Sequence, residues 1–118
     1  MNYQKTIWAV ISTSFEGIHQ YPDAPNDVSF LKYPHRHIFH VKIFIEQFHN
    51  DRDIEFILFK RFIDKVIANK QFPKSASCEM ISDFIFEEIF KKYPNRQTRI
   101  EIFEDLENGS LIEYGKNY

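Results

Sequence analysis

Three histidines of this chain have a spacing that suits a metal site. His35 and His37 begin a run rich in β-branched and aromatic residues, and His19 ends an earlier run of the same kind. Side chains two residues apart on a strand point to the same face, so His35 and His37 would direct their imidazoles at one point. Three neutral imidazoles with one open position are a frequent ligand set for catalytic zinc. The spacing therefore predicts a zinc site, and the alternative is three unrelated strand histidines.

The elements that would position these histidines follow from hydrophobic periodicity. Four segments have the alternation or the β-branched content of strands: 6–15, 37–48, 99–104 and 111–114. Apolar residues at three- and four-residue spacing predict helices around 59–67 and 81–90, the second with Ser77 as its N-cap. Asn108-Gly109 predicts a tight hairpin turn between the last two strands. The order β-β-α-α-β-β predicts a single α+β domain over residues 1–118, an antiparallel sheet with two helices on one face.

Composition limits the class of protein. The 118 residues are 43% hydrophobic and carry a net charge of -2, so we expect no nucleic-acid-binding face and no polybasic membrane patch. No apolar run approaches the ~20 residues that span a bilayer, and the first residues lack the apolar core of a signal peptide. The single cysteine, Cys78, cannot form an internal disulfide. These features predict a cytoplasmic protein with no nucleic acid or membrane as partner.

Five short motifs follow one another along nearly the whole chain. They are Phe15-Glu16-Gly17-Ile18-His19, His35-Arg36-His37, Glu55-Phe56 with Phe59-Lys60, Ser75-Ala76-Ser77-Cys78-Glu79, and Ile100-Glu101-Ile102-Phe103-Glu104. In this order they resemble the 6-pyruvoyl-tetrahydropterin synthase and 6-carboxy-tetrahydropterin synthase family. The first two resemble its zinc-ligand motifs, and the next two resemble the sequences that lead into its helices. The last resembles the strand ending in the glutamate that holds the pterin ring.

The resemblance implies a tunnelling fold with zinc on His19, His35 and His37 and a pterin- or purine-type ligand. It also implies a homo-oligomer, a trimer whose sheets join into a barrel or a hexamer of two stacked trimers, with sites between subunits. Glu104 would accept two hydrogen bonds from the ring edge, and Glu79 and Ser77 would be further ligand-binding residues. The alternatives are a solvated strand carboxylate for Glu104 and a first-turn helix carboxylate for Glu79.

The groups that transfer protons in that family are missing at the matching positions. The place of the usual cysteine is taken by Leu31, that of a variant glutamate by Lys32, and no Asp-His pair follows the first helix. Cys78 is the one candidate for a displaced catalytic thiol, at a helix start that could lower its pKa; the alternative is a small packing residue. Two functions stay open. One is a zinc-dependent carbon–oxygen lyase acting on dihydroneopterin triphosphate, and the other is a non-catalytic protein that binds a pterin or a guanine-containing nucleotide.

Overall fold

Two helices pack on one face of a four-stranded antiparallel sheet in the computed structural model, which describes residues 2–115. In chain order the elements are β1 (Ile7–His19), a short 3-10 helix (Asn26–Lys32), β2 (His35–Gln47), α1 (Phe56–Ala68), α2 (Cys78–Lys92), β3 (Thr98–Glu104) and β4 (Asn108–Tyr114). The strands lie in the order β1-β2-β3-β4. The predicted α+β fold of β-β-α-α-β-β order, the topology of the tunnelling fold, is confirmed. Among residues 2–115, neither helix has the length and apolar content that crossing a membrane requires.

The core lies between the sheet and the two helices. Ile11, Ile43, Ile100 and Ile112 are neighbours across the four strands, and alternate residues on either side of them face the helices. The helices complete the core with Phe59, Ile63, Ile67, Ile81, Ile85 and Ile89. Every second residue on a strand points away from this core, and several of these outward residues are exposed apolar side chains: Val10, Ile18, Ile38 and Leu111.

The hairpin of β1 and β2 is longer than the alternation predicts. The predicted strands cover 6–15 and 37–48, whereas pairing continues without interruption from Ile7↔Gln47 to His19↔His35. Gly17 makes this extension possible, because a Cβ atom there would lie 2.8 Å from the ring of Phe39. The extension carries His19 and His35 to the end of the hairpin where the 20–34 segment connects the strands.

Capping explains where the helices begin. The Ser77 hydroxyl accepts a hydrogen bond from the Met80 backbone N–H at 3.1 Å, so the predicted N-cap of α2 is confirmed. The Glu55 carboxylate does the same for Leu58 at 2.7 Å, which starts α1. Both caps satisfy backbone donors that the first helical turn leaves unpaired.

The turn between β3 and β4 differs from the prediction. The turn occupies residues 105–107, where Asp105 and Leu106 have φ values of 55° and 60°, and the Glu107 N–H donates to the Glu104 carbonyl at 3.0 Å. The predicted turn at Asn108-Gly109 was therefore wrong, since both residues belong to β4. A Cβ atom on Gly109 would collide with the backbone of Ile102 and of Phe103. Glycine is needed there for close backbone approach rather than for a turn.

Gly109→Ala is expected to destabilise the protein by about 2 kcal/mol, the usual range for forcing an atom into a filled space. The strands must separate locally to admit the methyl group. Urea unfolding followed by circular dichroism measures the effect. Gly115→Ala is the matched control, because a Cβ atom at Gly115 meets nothing within 4 Å. Equal stability of the two variants would contradict the close approach at Gly109.

Candidate metal centre

The three histidines meet at the end of the β1–β2 hairpin where the 20–34 segment connects the two strands. His19 is the last residue of β1 and pairs with His35, the first residue of β2. His37 follows on the same face of β2, because side chains alternate along a strand. Glu104, the last residue of β3, joins them because it pairs with Phe39 in the neighbouring strand. The structure thus brings together all three predicted metal ligands and adds a carboxylate from a third strand.

The four side chains are close enough to share one ion. One ligand atom from each of His19, His35, His37 and Glu104 lies within 4.8 Å of the other three. Glu104 Oε2 is 3.1 Å from His37 Nε2 and 3.5 Å from His19 Nδ1. Three imidazole nitrogens and one carboxylate oxygen form a donor set that could hold a divalent metal ion.

Two of the imidazoles are oriented by hydrogen bonds on the side away from the cluster. His35 Nδ1 lies 2.8 Å from the Tyr33 carbonyl oxygen, and His37 Nδ1 lies 2.6 Å from Asp105 Oδ2. A carbonyl or carboxylate oxygen only accepts, so each Nδ1 carries a proton and each Nε2 is directed at the cluster, where Glu104 Oε2 faces the Nε2 of His37. This arrangement, an outer acceptor that fixes the tautomer of a ligating histidine, is typical of metal centres.

Two nitrogens of the cluster are buried without a hydrogen-bond partner. They are His19 Nδ1 and His35 Nε2. An unpaired polar atom that is buried costs free energy, so such atoms are uncommon in native proteins. A metal ion between them would satisfy both lone pairs. The donor set therefore fits a bound cation, because these two buried nitrogens have no hydrogen-bond partner.

The charge state of the cluster also favours metal binding. The pKa of His19 is lowered from its usual value, mainly by burial and further by His35 and His37, while Glu104 and the Ala76 backbone oppose the shift. A lowered pKa keeps the imidazole neutral and its lone pair available. The pKa of Asp105 is also lowered, first by the hydrogen bond from the Ile38 backbone and then by His37. Asp105 is therefore an anion that accepts a hydrogen bond from His37 Nδ1.

Cys78 is not set up as an activated thiol. It is half-buried at the first position of α2, and burial, together with the charges of Glu104 and Glu79, raises its pKa to about 11. The expectation that the helix start would lower this pKa was wrong, because desolvation and two nearby carboxylates oppose the thiolate. Its side chain packs against the hydrophobic core, which fits the alternative of a small packing residue.

The other predicted ligand-binding residues lie at the entrance to α2. Ser77 uses its hydroxyl as the helix cap, and Glu79 is an exposed acidic residue in the first turn. Both therefore have a structural explanation, and their contact with a ligand stays a prediction. Arg36 points to the opposite face of β2 from the cluster, as expected, and pairs there with Glu16 on β1.

A cavity of about 400 Å³ lies beside His19. Its walls come from the end of β1, the end of α1 and the segment that joins the two helices. Three aromatic rings line it: Phe15 stacks on Phe39 with centroids 5.1 Å apart and lies 5.9 Å from Phe72. Lys70 and Lys74 add positive charge at its edge. Nothing in the local sequence pattern marked the 70–76 segment as part of a site.

Asp105 is a candidate site residue that the sequence pattern did not indicate. Its signal was the acidic pair Glu104-Asp105 directly after a strand, but only the register of β3 against β2 shows that Asp105 meets His37.

In comparisons with known proteins, no protein-family model matches the chain and no curated protein matches it.

Proposed function

We propose that this protein binds zinc through His19, His35 and His37 and holds a pterin- or purine-type ring beside the metal, as a divergent relative of the tetrahydropterin synthases. The single observation that carries the proposal is the pair of buried, unpartnered imidazole nitrogens on His19 and His35. They lie in a cluster whose ligand atoms are all within 4.8 Å of one another.

Zinc suits this donor set better than calcium or magnesium. Imidazole nitrogen is a preferred ligand of zinc, whereas calcium and magnesium prefer shells made of oxygen. The orienting acceptors on His35 and His37 also match the outer shell of zinc centres. When bound, zinc would act as a Lewis acid toward an oxygen of the ligand.

The neighbouring cavity supports a flat, anionic ligand. Its volume of about 400 Å³ falls in the range of small-molecule sites. The partly exposed rings of Phe15 and Phe72 are the aromatic surfaces that a bicyclic ring could contact, and Lys70 and Lys74 suit a phosphate or carboxylate. Glu104 is not part of the cavity wall but lies beside His19. With the three histidines holding the metal, Glu104 is the proposed acceptor for the ring N–H groups, since a carboxylate can pair with two donors at once.

The residues around the cluster favour a protein that binds its ligand without converting it. Leu31 has no group that accepts a proton, and Lys32 is exposed rather than buried. The Cys78 thiol is protonated at neutral pH because its pKa is raised to about 11. The second candidate is the zinc-dependent lyase itself, acting on dihydroneopterin triphosphate, and the retained histidines and Glu104 are the reason to keep it.

An oligomer is part of the proposal. The strand order leaves β1 and β4 as the two edges of the sheet, and unpaired edges are available for pairing with another chain. Exposed Val10, Ile18, Ile38 and Leu111 lie on strand positions that the helices do not cover. We propose that copies of this chain join through these edges as a trimer or a stacked hexamer. Light scattering coupled to size exclusion measures the mass, and a stable monomer would contradict this part.

The zinc-loaded protein is expected to bind a pterin or a guanine nucleotide without converting dihydroneopterin triphosphate. Fluorescence titration measures binding, and chromatography of the reaction mixture detects acetaldehyde or pyruvoyl products. Glu104→Ala should weaken ring binding by about tenfold or more, because a charge-assisted hydrogen-bond pair is lost. Glu101→Ala, on the outward face of the same strand, is the control. Turnover at an appreciable rate would establish the lyase instead of the binder.

A further inference from the structure

We propose that Asp105 is a positioning residue that fixes the tautomer and the ring orientation of His37, so that Nε2 presents its lone pair to the metal. This inference rests on the proposed metal centre. The Asp105 carboxylate lies against the side of the His37 imidazole that faces away from the cluster.

The Asp105 side chain is attached to β2 by both of its oxygens. Oδ2 lies 2.6 Å from His37 Nδ1, and Oδ1 accepts the Ile38 backbone N–H at 2.9 Å. The Asp105 backbone N–H in turn donates to the Ile38 carbonyl at 2.8 Å. Three hydrogen bonds therefore join one turn residue to two consecutive residues of β2. The left-handed backbone of Asp105, with φ of 55°, is the conformation that holds these contacts.

A carboxylate is the group that these two donors require. Both of its oxygens accept, so one can face Ile38 N–H while the other faces the proton on His37 Nδ1. An asparagine has one accepting oxygen and one donating NH₂ group. If its oxygen stays on Ile38, its NH₂ group faces His37 Nδ1 and favours the tautomer with the proton on Nε2. That proton would occupy the lone pair that binds the metal.

The hydrogen bond that orients His35 involves the backbone rather than a side chain. His35 Nδ1 is held by the Tyr33 backbone carbonyl, which a side-chain substitution does not remove. Asp105 is therefore a residue outside the four-residue cluster where a single substitution can change the tautomer of His37 and leave all three histidines and Glu104 in place. The nearby Glu107 offers a matched control, because it is an exposed acidic residue of the same turn.

The test compares wild-type protein with Asp105→Asn, Asp105→Ala and Glu107→Gln. Nitrogen-15 NMR of the zinc-free proteins identifies which nitrogen of His37 carries the proton, and chelator competition gives the zinc dissociation constant. We expect a proton on His37 Nδ1 in the wild type and in Glu107→Gln. In Asp105→Asn we expect a proton on Nε2 alone, since Glu104 Oε2 lies 3.1 Å from Nε2 and accepts from it. Zinc affinity should fall about 10- to 100-fold in Asp105→Asn, the usual cost of losing an outer-shell partner.

Thermal unfolding of each variant separates positioning from a loss of fold. If Asp105→Asn does not fold, Asp105→Ala is measured instead, and it should show a mixture of both His37 tautomers with a fall in zinc affinity. A folded variant that keeps the Nδ1 proton and wild-type zinc affinity would overturn the role of Asp105. Wild-type protein that binds no zinc would overturn the metal centre, while the His37 tautomer still reports separately on Asp105.

Discussion

His35→Ala is expected to weaken zinc binding by more than about a hundredfold, which is the upper range for losing only an outer-shell partner. The substitution removes the Nε2 donor that is buried without a partner, so the shell loses a direct ligand. The fold should survive, because His35 lies at the end of the hairpin, next to the connecting 20–34 segment, and is only partly buried. Competition against a chromophoric chelator measures the dissociation constant.

Two other histidines serve as matched controls for this prediction. His40 lies on the same strand but points to the opposite face from His35 and His37, since its position differs from theirs by an odd number of residues. His49 lies in the turn after β2, near Asp53. Alanine at either position should leave zinc affinity within about twofold of the wild type. Equal zinc affinity in all three variants would mean that the histidine cluster is not the metal site.

Zinc affinity is also expected to fall steeply as the pH drops through the folded pKa of His19, which lies below 6.5. Each ligating imidazole must be neutral, so every imidazole that is protonated in the metal-free protein costs about tenfold in apparent affinity per pH unit. The pKa of His19 is lowered from 6.5, chiefly by burial, so His19 is still neutral at pH values where an exposed histidine is already charged. Dissociation constants measured between pH 5 and pH 8 test this, and a flat profile would contradict it.

The lowered pKa of His19 also determines how the stability of the zinc-free protein changes with pH. The folded pKa of His19 lies below its unfolded value of 6.5, so the unfolded chain binds more protons in that window. Stability is therefore full above pH 6.5 and decreases as the pH falls toward the folded pKa. His19→Gln, which takes up no proton, should reduce this acid-induced loss. Urea unfolding across the same pH range compares the two proteins.

Much of the metal centre could be predicted because strand alternation is a local property. His35 and His37 must share a face in any strand, whatever the strand pairs with. His19 could be added because it ends a second strand-like run. The core positions and the Ser77 cap were predictable for the same reason, since helical periodicity and capping depend on neighbours within a few residues.

What could not be predicted depends on register between distant strands. Glu104 was expected at the site only through the family resemblance, and Asp105 was not expected there. Both meet the histidines because β3 pairs with β2 at Phe39↔Glu104, and no local pattern encodes that pairing. The turn was misplaced for the same reason: Asn108-Gly109 is the stronger local turn signal, but the register puts the turn at Asp105–Glu107. The raised pKa of Cys78 likewise arises from burial and from Glu104, which is remote in sequence.

Anomalous X-ray diffraction at the zinc edge, from crystals equilibrated with zinc, tests the central claim most directly. We expect one strong peak per chain, about 2.0–2.1 Å from each of three atoms: His19 Nδ1, His35 Nε2 and His37 Nε2. This is the usual distance between zinc and an imidazole nitrogen. A well-folded chain with no anomalous peak between these three atoms, or with its zinc bound elsewhere, would contradict the account.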